Sequence, residues 1–373
     1  MPQSLPRGRP RVVAPLVGAA LVFPAVALLA AWPTAAFAST PRPPWHPGPP
    51  WAPLRPDSSE MSQISDLFWV MLVLSGIIFL FVCTFLFVNV VRFSARPDAP
   101  EPTQVFGHRR VELAWTLIPT VILLIAFVVT VVYIHNINSP PKGATAATIM
   151  NIKVVGHQWW WEFQYPPQPQ VRALGITKPI VTADELHLPT GIPLHFHVTS
   201  ADVIHSFWTP QLQRQIDANP GIDNAVFVEL NRPGIYGGAC YEYCGDAHAW
   251  MKYRVVVQTP AQFRAWVLNQ IKPAAKPHGL AAQGQKVFYQ NTCISCHFVD
   301  APRSPAHGTV GPNLTHLGIR WTIGAGAAPL TTTDLMAWIR DPNSYKPGVL
   351  MPPYPLISQK DLRALAAYLI SLK

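Results

Sequence analysis

Cys240-Tyr241-Glu242-Tyr243-Cys244-Gly245-Asp246-Ala247-His248-Ala249-Trp250-Met251 decides how this chain must be read. Two thiols, a carboxylate, an imidazole and a thioether crowd one short loop, and no packing requirement explains that mixture. Thiolate, thioether and imidazole together select copper, whereas calcium and magnesium prefer oxygen. Two cysteines four apart on a tight loop can face one site and share their sulfurs between two metal ions. A second imidazole is then needed. His205, in Asp202-Val203-Ile204-His205-Ser206 just after a strand-like segment, is the best supplier. A Cys-x3-Cys pair alone would also suit zinc or copper delivery, and a lone histidine is usually structural. The joint pattern with His248 and Met251 is far more specific. His187, His195 and His197 lie on strand-like runs without that context and read as ordinary surface or core residues.

Downstream, Cys293-Ile294-Ser295-Cys296-His297 is a covalent haem-attachment pattern: two thioether links and one axial imidazole. Half a zinc ribbon would need a second Cys-x2-Cys, which the sequence lacks. The opposite axial ligand must come from farther along. Met351, between a Pro/Gly loop and the last helical segment, is the strongest candidate. Met336 sits on an apolar helical face and reads as core, and His278, His307 and His316 are weaker rivals. Methionine–histidine ligation raises haem potential, which suits a donor to copper. A chain that carries both clusters moves electrons.

Composition adds a membrane. Hydrophobic residues make up 49% of the 373 and charged ones only 13%, about half the usual charged share. Charge-free apolar segments run from Leu67 to Val91 and from Leu113 to Ile134, each long enough to cross about 30 Å of hydrocarbon. Pro119 lies near one end of the second, where it is tolerable. Arg92, Arg96, His108, Arg109 and Arg110 fall between the segments, so the connecting loop is expected in the cytoplasm and both metal clusters outside. Arg7, Arg9 and Arg11 before an apolar run, then Ala36-Phe37-Ala38, read as an export signal.

The net charge of +9 is dispersed, and nothing resembles a nucleic-acid patch. Residues 135–270 carry nine basic and nine acidic side chains, and residues 278–373 carry eight and four. A near-neutral copper region beside a mildly basic haem region leads us to expect docking without strong charge attraction.

Short β-type runs at Ile152–Val155, Leu194–Val198, Ala225–Leu230 and Tyr253–Val257 are bounded by Pro, Gly and Asn, which suggests a barrel or sandwich. Leu280–Gln290, Thr332–Arg340 and Ser358–Leu372 read as helices. The expected layout is a signal peptide (1–38), a Pro-rich extracytoplasmic segment (39–65), a helix hairpin (66–134), a copper domain (135–270), a linker (271–279) and a haem domain (280–373).

Residues 60–260 resemble subunit II of haem–copper cytochrome c oxidases. The resemblance rests on the Cys240–Met251 pattern, the Asp-Val-Ile-His205-Ser segment, Gly156-His157-Gln158-Trp159-Trp160-Trp161 and the preceding two-helix hairpin. It implies a cupredoxin-like, Greek-key β-barrel with a binuclear CuA centre. Cys240 and Cys244 would bridge the coppers. His205 and His248 would be terminal ligands, with Met251 and the Glu242 carbonyl weak and axial. It further implies a magnesium ion shared with subunit I through the Glu242 carboxylate, electron entry at Trp159, and a proton-channel entry at Glu112. Aromatic packing and simple helix capping are the plainer readings of those last two residues. One departure is Ile222, where the family often has an arginine.

Residues 280–373 resemble an all-α class I cytochrome c domain, on Gly284, Phe288, Gly311-Pro312-Asn313-Leu314, Met351-Pro352 and the last helix. That likeness implies that the Pro312 carbonyl orients the axial imidazole. Together the resemblances imply a multidomain caa3-type oxidase subunit in a bacterial inner membrane, with its metal domains on the periplasmic face. It would take electrons from an external cytochrome c or another donor and pass them to subunit I. Oxygen reduction and proton translocation would occur there, in contact with other oxidase subunits. The rivals are the electron-input subunit of a CuA-type nitric oxide reductase and a copper-delivery assembly protein. Nitrous oxide reductase is opposed by the spanning segments, and a quinol oxidase subunit by the copper ligands.

Overall fold

The computed structural model describes residues 54–94, 100–101, 103–168, 179–301 and 304–373. The expected signal peptide and most of the Pro-rich segment lie outside these residues.

Helices α1 (Ser59–Arg92) and α2 (Arg109–Asn138) form the hairpin, and no part of either apolar window is buried within the protein. That outward-facing apolar surface is what a bilayer covers. Both run past their apolar spans, because caps rather than hydropathy set where a helix starts. The Ser58 side chain accepts from the Met61 amide at 3.1 Å. Glu60 and Met61 are buried at the first turn of α1, where Glu60 accepts the Glu229 amide at 3.1 Å. The hairpin is thus fastened to the strand domain at its outer end. Pro119 lies within α2, near its start.

Ten strands follow among the described residues: β1 (Met150–His157), β2 (Trp160–Tyr165), β3 (Ile180–Ala183), β4 (Glu185–Pro189), β5 (Leu194–Ser200), β6 (His205–Trp208), β7 (Ile216–Ala218), β8 (Asn224–Val228), β9 (Gly234–Cys240) and β10 (Lys252–Gln258). They form two five-stranded sheets, β3-β2-β1-β5-β8 and β4-β10-β9-β6-β7. Alternation drives the layering. β5 buries Leu194, Phe196, Val198 and Ser200 and leaves the residues between them half-exposed. Both sheets feed one core, in which Trp161, Phe163, Phe207 and Tyr253 meet edge-to-face or stacked. His187 stacks on Trp266, and His195 and His197 share Asn151, so these spare histidines are occupied structurally.

Helix α3 (Pro260–Gln270) closes the strand domain with a capping box at Thr259, an element not anticipated from the sequence. The connector after it is no free tether. Ala274 is buried in the next domain's core, and its amide donates to the Asp300 carbonyl at 2.7 Å.

The C-terminal domain comprises α4 (Gly279–Gln290), the turn α5 (Cys293–Cys296), α6 (Thr332–Arg340) and α7 (Gln359–Ser371), with a small hairpin of β11 (Thr322–Ile323) and β12 (Ala328–Pro329). Ser358 caps α7 by accepting the Asp361 amide at 3.1 Å. α4 crosses α7 so closely that a Cβ on Gly284 would stand 1.8 Å from the Ala364 carbonyl oxygen. That backbone approach requires a glycine.

Candidate functional site

The metal loop spans the last rung of a β ladder. β9 and β10 pair up to Ala239 and Lys252, and the Cys240 amide donates to the Met251 carbonyl at 2.9 Å. The ends of the loop are thereby fixed, and the turn His248–Trp250 folds its middle back. The Cys240 and Cys244 sulfurs lie 3.7 Å apart. Each has its own imidazole: His205 Nδ1 is 3.9 Å from Cys240 Sγ, and His248 Nδ1 is 3.5 Å from Cys244 Sγ. Met251 Sδ is 3.9 Å from Cys244 Sγ, and the Glu242 carbonyl is 3.2 Å from Cys240 Sγ. His205, Cys240 and Cys244 are all buried, with ligand atoms within 4.8 Å of one another.

All six groups expected from the sequence thus converge, and their softness fits copper. Contact with Cys244 draws the Cys240 thiol down, and the same contact pushes the Cys244 thiol up. Both can become thiolates together only beside compensating positive charge.

Supporting groups aim the donors. Asp202 accepts from His205 Nε2 at 2.8 Å, which leaves Nδ1 free to face the sulfurs. Burial opposes a proton on His205, but the bonds to Asp202 and Cys240 outweigh it, so its pKa is raised. A Cβ on Gly156 would come within 2.7 Å of the His205 ring, so the strand backbone forms one wall of the pocket. The three tryptophans separate by role. Trp159 Nε1 donates to the Cys244 carbonyl at 3.0 Å, beside Gln158 Nε2 at 2.8 Å. Trp160 stacks on His157, and Trp161 is wholly buried in the core.

The C-terminal cluster borders a cleft of about 210 Å³, open at its mouth. Cys293, Cys296, His297 and Met351 all border it. His297 Nδ1 donates to the Pro312 carbonyl at 2.8 Å, which fixes the ring and frees Nε2 as a ligand. Burial lowers the His297 pKa, as a neutral metal-binding imidazole needs. Trp338 Nε1 donates to Met351 Sδ at 3.2 Å and holds the thioether. Met336, His278, His307 and His316 do not border the cleft. His316 instead bonds the Gln270 carbonyl at 3.2 Å. A mainly apolar cleft bordered by two thiols, an imidazole and a thioether fits a c-type haem.

The same cleft is bordered by Trp159 and Trp160 of the strand domain. The residue whose indole bonds the metal loop therefore also borders that cleft.

Comparison with known proteins agrees segment by segment. Residues 55–131 match the transmembrane domain of cytochrome c oxidase subunit II, residues 150–259 match its periplasmic domain, and residues 281–373 match cytochrome c. Cytochrome c oxidase subunit 2 of Alkalihalophilus pseudofirmus is 34% identical over 323 residues, covering 86% of this chain and 90% of the relative. The chain belongs to the cytochrome c oxidase subunit II family. The Bacillus subtilis member is 32% identical over 303 residues, covering 77% and 82%. The periplasmic domain of cytochrome oxidase subunit II from Bradyrhizobium japonicum is 30% identical, covering 32% of this chain and 92% of that one, with a TM-score of 0.29. This member of the family is a membrane protein with two spanning helices, a periplasmic β-sandwich and a fused C-terminal cytochrome c domain. The two soluble domains imply CuA copper and haem c, within a haem–copper oxidase complex served by a cytochrome c donor.

Other expected residues of this subunit II have plainer surroundings. Glu112 Oε1 accepts the His108 amide at 2.9 Å, and so closes the start of α2. The Glu242 side chain and Ile222 are exposed. Sequence reasoning missed Asp202, Gln158 and Lys346. Only Asp202, three residues before His205, carried a signal, since a carboxylate there can reach the imidazole's second nitrogen.

Proposed function

We propose that this subunit relays single electrons from an external donor to its haem, on to a binuclear CuA centre, and then to subunit I, where oxygen is reduced and protons are translocated. Cys293, Cys296, His297 and Met351 would hold the haem. Cys240 and Cys244 would bridge two coppers, with His205, His248, Met251 and the Glu242 carbonyl completing them. The bound metals supply reversible one-electron chemistry. The chain's own residues orient the imidazoles, exclude water and keep the two sites close. The double attachment of Trp159 carries this reading: the residue borders the haem cleft, and its indole N–H bonds the Cys244 carbonyl. Fusion makes the encounter intramolecular, so diffusion of a separate donor is not needed.

The limits 66–134, 135–270 and 280–373 are proposed as the functional domains. The chain would reside in a bacterial inner membrane, with the loop between α1 and α2 in the cytoplasm. The exposed Glu242 carboxylate is available for a magnesium ion shared with subunit I. Glu112, on the cytoplasmic side, is proposed to lead protons toward that subunit.

Trp159→Phe in the intact oxidase tests the route. It removes the indole donor and keeps an aromatic ring. Electron passage from haem to copper, followed optically after photochemical reduction, should slow by roughly 10²-fold, with the copper resonance and haem bands retained. An unchanged rate would sink Trp159 as the point of entry.

A further inference from the structure

The haem domain meets the strand domain along a polar seam. The Trp321 amide donates to Glu185 Oε1 at 2.8 Å, and Arg254 donates to the same oxygen at 3.2 Å. The Arg254 guanidinium also lies 4.3 Å from the centre of the Trp321 ring. The Lys252 amide donates to the Ala325 carbonyl at 3.3 Å, and the Ala325 amide bonds the Asp184 carboxylate. Ala325 packs against Trp160 and Ala183. A near-neutral strand domain beside a mildly basic haem domain leads to the expectation of docking without strong charge attraction. The seam nonetheless buries Asp184, Glu185 and Arg254. A domain total conceals where individual charges meet.

Lys346 is the unexpected member. It is 1% exposed and also borders the haem cleft. Its ammonium donates to the Trp159 carbonyl and, at 3.2 Å, to the Gly324 carbonyl. One side chain thereby joins three segments: the loop leading to Met351, the turn between β11 and β12, and the turn carrying Trp159. A few residues on, Gly348 lies against the metal loop, where an added Cβ would stand 2.6 Å from Asp246 Cβ. Burial lowers the Lys346 pKa to about 8, with Asp184 opposing the shift. A buried ammonium is costly unless polar groups hold it, and a well-packed apolar residue is often no worse for stability. Its place between the two redox sites offers a reason for its presence.

We propose that Lys346 is a positioning residue: it locks the Met351 loop to the Trp159 backbone, so that the haem domain is a fixed donor and not a tethered, swinging one. This rests on the proposed passage of electrons from haem through Trp159 to the copper loop. In each transfer a c-type haem loses one electron and a copper centre gains one. No bond forms or breaks, and Lys346 keeps its proton. A tether supplies only an effective concentration. A lock supplies geometry, and a displacement of about 1 Å can cost up to about 10²-fold in rate.

The test uses the intact oxidase carrying Lys346→Met or Lys346→Arg. One electron is delivered photochemically to the haem, and its arrival at copper is timed. Hydrogen exchange is followed at Trp159–Trp161 and Gly324–Ala325. Lys346→Met should slow transfer at least about tenfold and raise exchange on both sides of the seam, with haem bands and copper resonance unchanged. Lys346→Arg, which keeps the charge and donors, should recover most of the rate. An undiminished rate in Lys346→Met overturns the lock. Failure of haem-to-copper transfer in the unaltered protein overturns the route, and the lock with it. Should Lys346→Met not assemble, Asp184→Asn weakens the same seam from the other domain, and its rate decides in the same way.

Discussion

The metal loop and the haem cleft solve one problem at different scales. The loop gathers five side-chain and main-chain donors between Cys240 and Met251, and its ends are joined by a backbone hydrogen bond. Only His205 comes from elsewhere. The cleft draws its thiols and imidazole from one short turn, its thioether from a distant loop, and part of its wall from another domain. A compact metal centre can be specified by spacing along one loop. A large planar cofactor needs surfaces that only folding brings together.

Cutting the loop should break it outright. Cys244→Ser removes a shared sulfur, and metal analysis should find fewer than two coppers, with the mixed-valence resonance lost. Two coppers and an intact resonance would remove Cys244 from the bridge.

A gentler change sharpens the contrast. Asp202→Asn weakens the acceptor on His205 Nε2 and should lower copper affinity by roughly 10–100-fold in a competition titration. Haem content should not move, since Asp202 does not border the cleft.

In the cleft the corresponding change acts on one ligand at a time. Met351→Ala should abolish the low-spin methionine–histidine spectrum and lower the haem potential, while the covalent links persist. Met336→Ala should leave the spectrum intact and cost about 1–2 kcal/mol of thermal stability, because that side chain is only partly buried in the core.

The smallest effect concerns the seam. Burial raises the Asp184 pKa to about 6 from 3.8. Between those values the folded state holds a proton that the unfolded state has released, so this contribution to stability falls as pH rises from about 4 to 6. Thermal unfolding of wild type and Asp184→Asn across that interval should differ in slope, with the variant flatter. Equal slopes would show that Asp184 titrates as an exposed carboxylate.

Both proposed ligand sets could be read from the sequence because attachment chemistry fixes residue type and spacing locally. Cys293, Cys296 and His297 must be adjacent, and Cys240, Cys244 and His248 must share a turn. The apolar runs of α1 and α2 were legible for a similar reason, since a bilayer demands length and hydropathy. Their true starts were not, because the Ser58 cap and the buried Glu60 act through local hydrogen bonds and a tertiary contact. Of the three adjacent tryptophans, the resemblance implied Trp159 as the electron entry, but nothing in the residues themselves set it apart from Trp160 and Trp161. Packing assigned Trp161 to the core, Trp160 to the stack on His157 and Trp159 to the Cys244 carbonyl.

The sequence by itself determined the proposed donors, the membrane hairpin and the order of the domains, because each depends on residue type over a short span. Only the tertiary structure decided that Lys346 reaches the Trp159 carbonyl across the chain, and that the haem cleft borrows a wall from the strand domain. A buried lysine has no sequence signature. Its cost and its use both arise from neighbours that folding supplies.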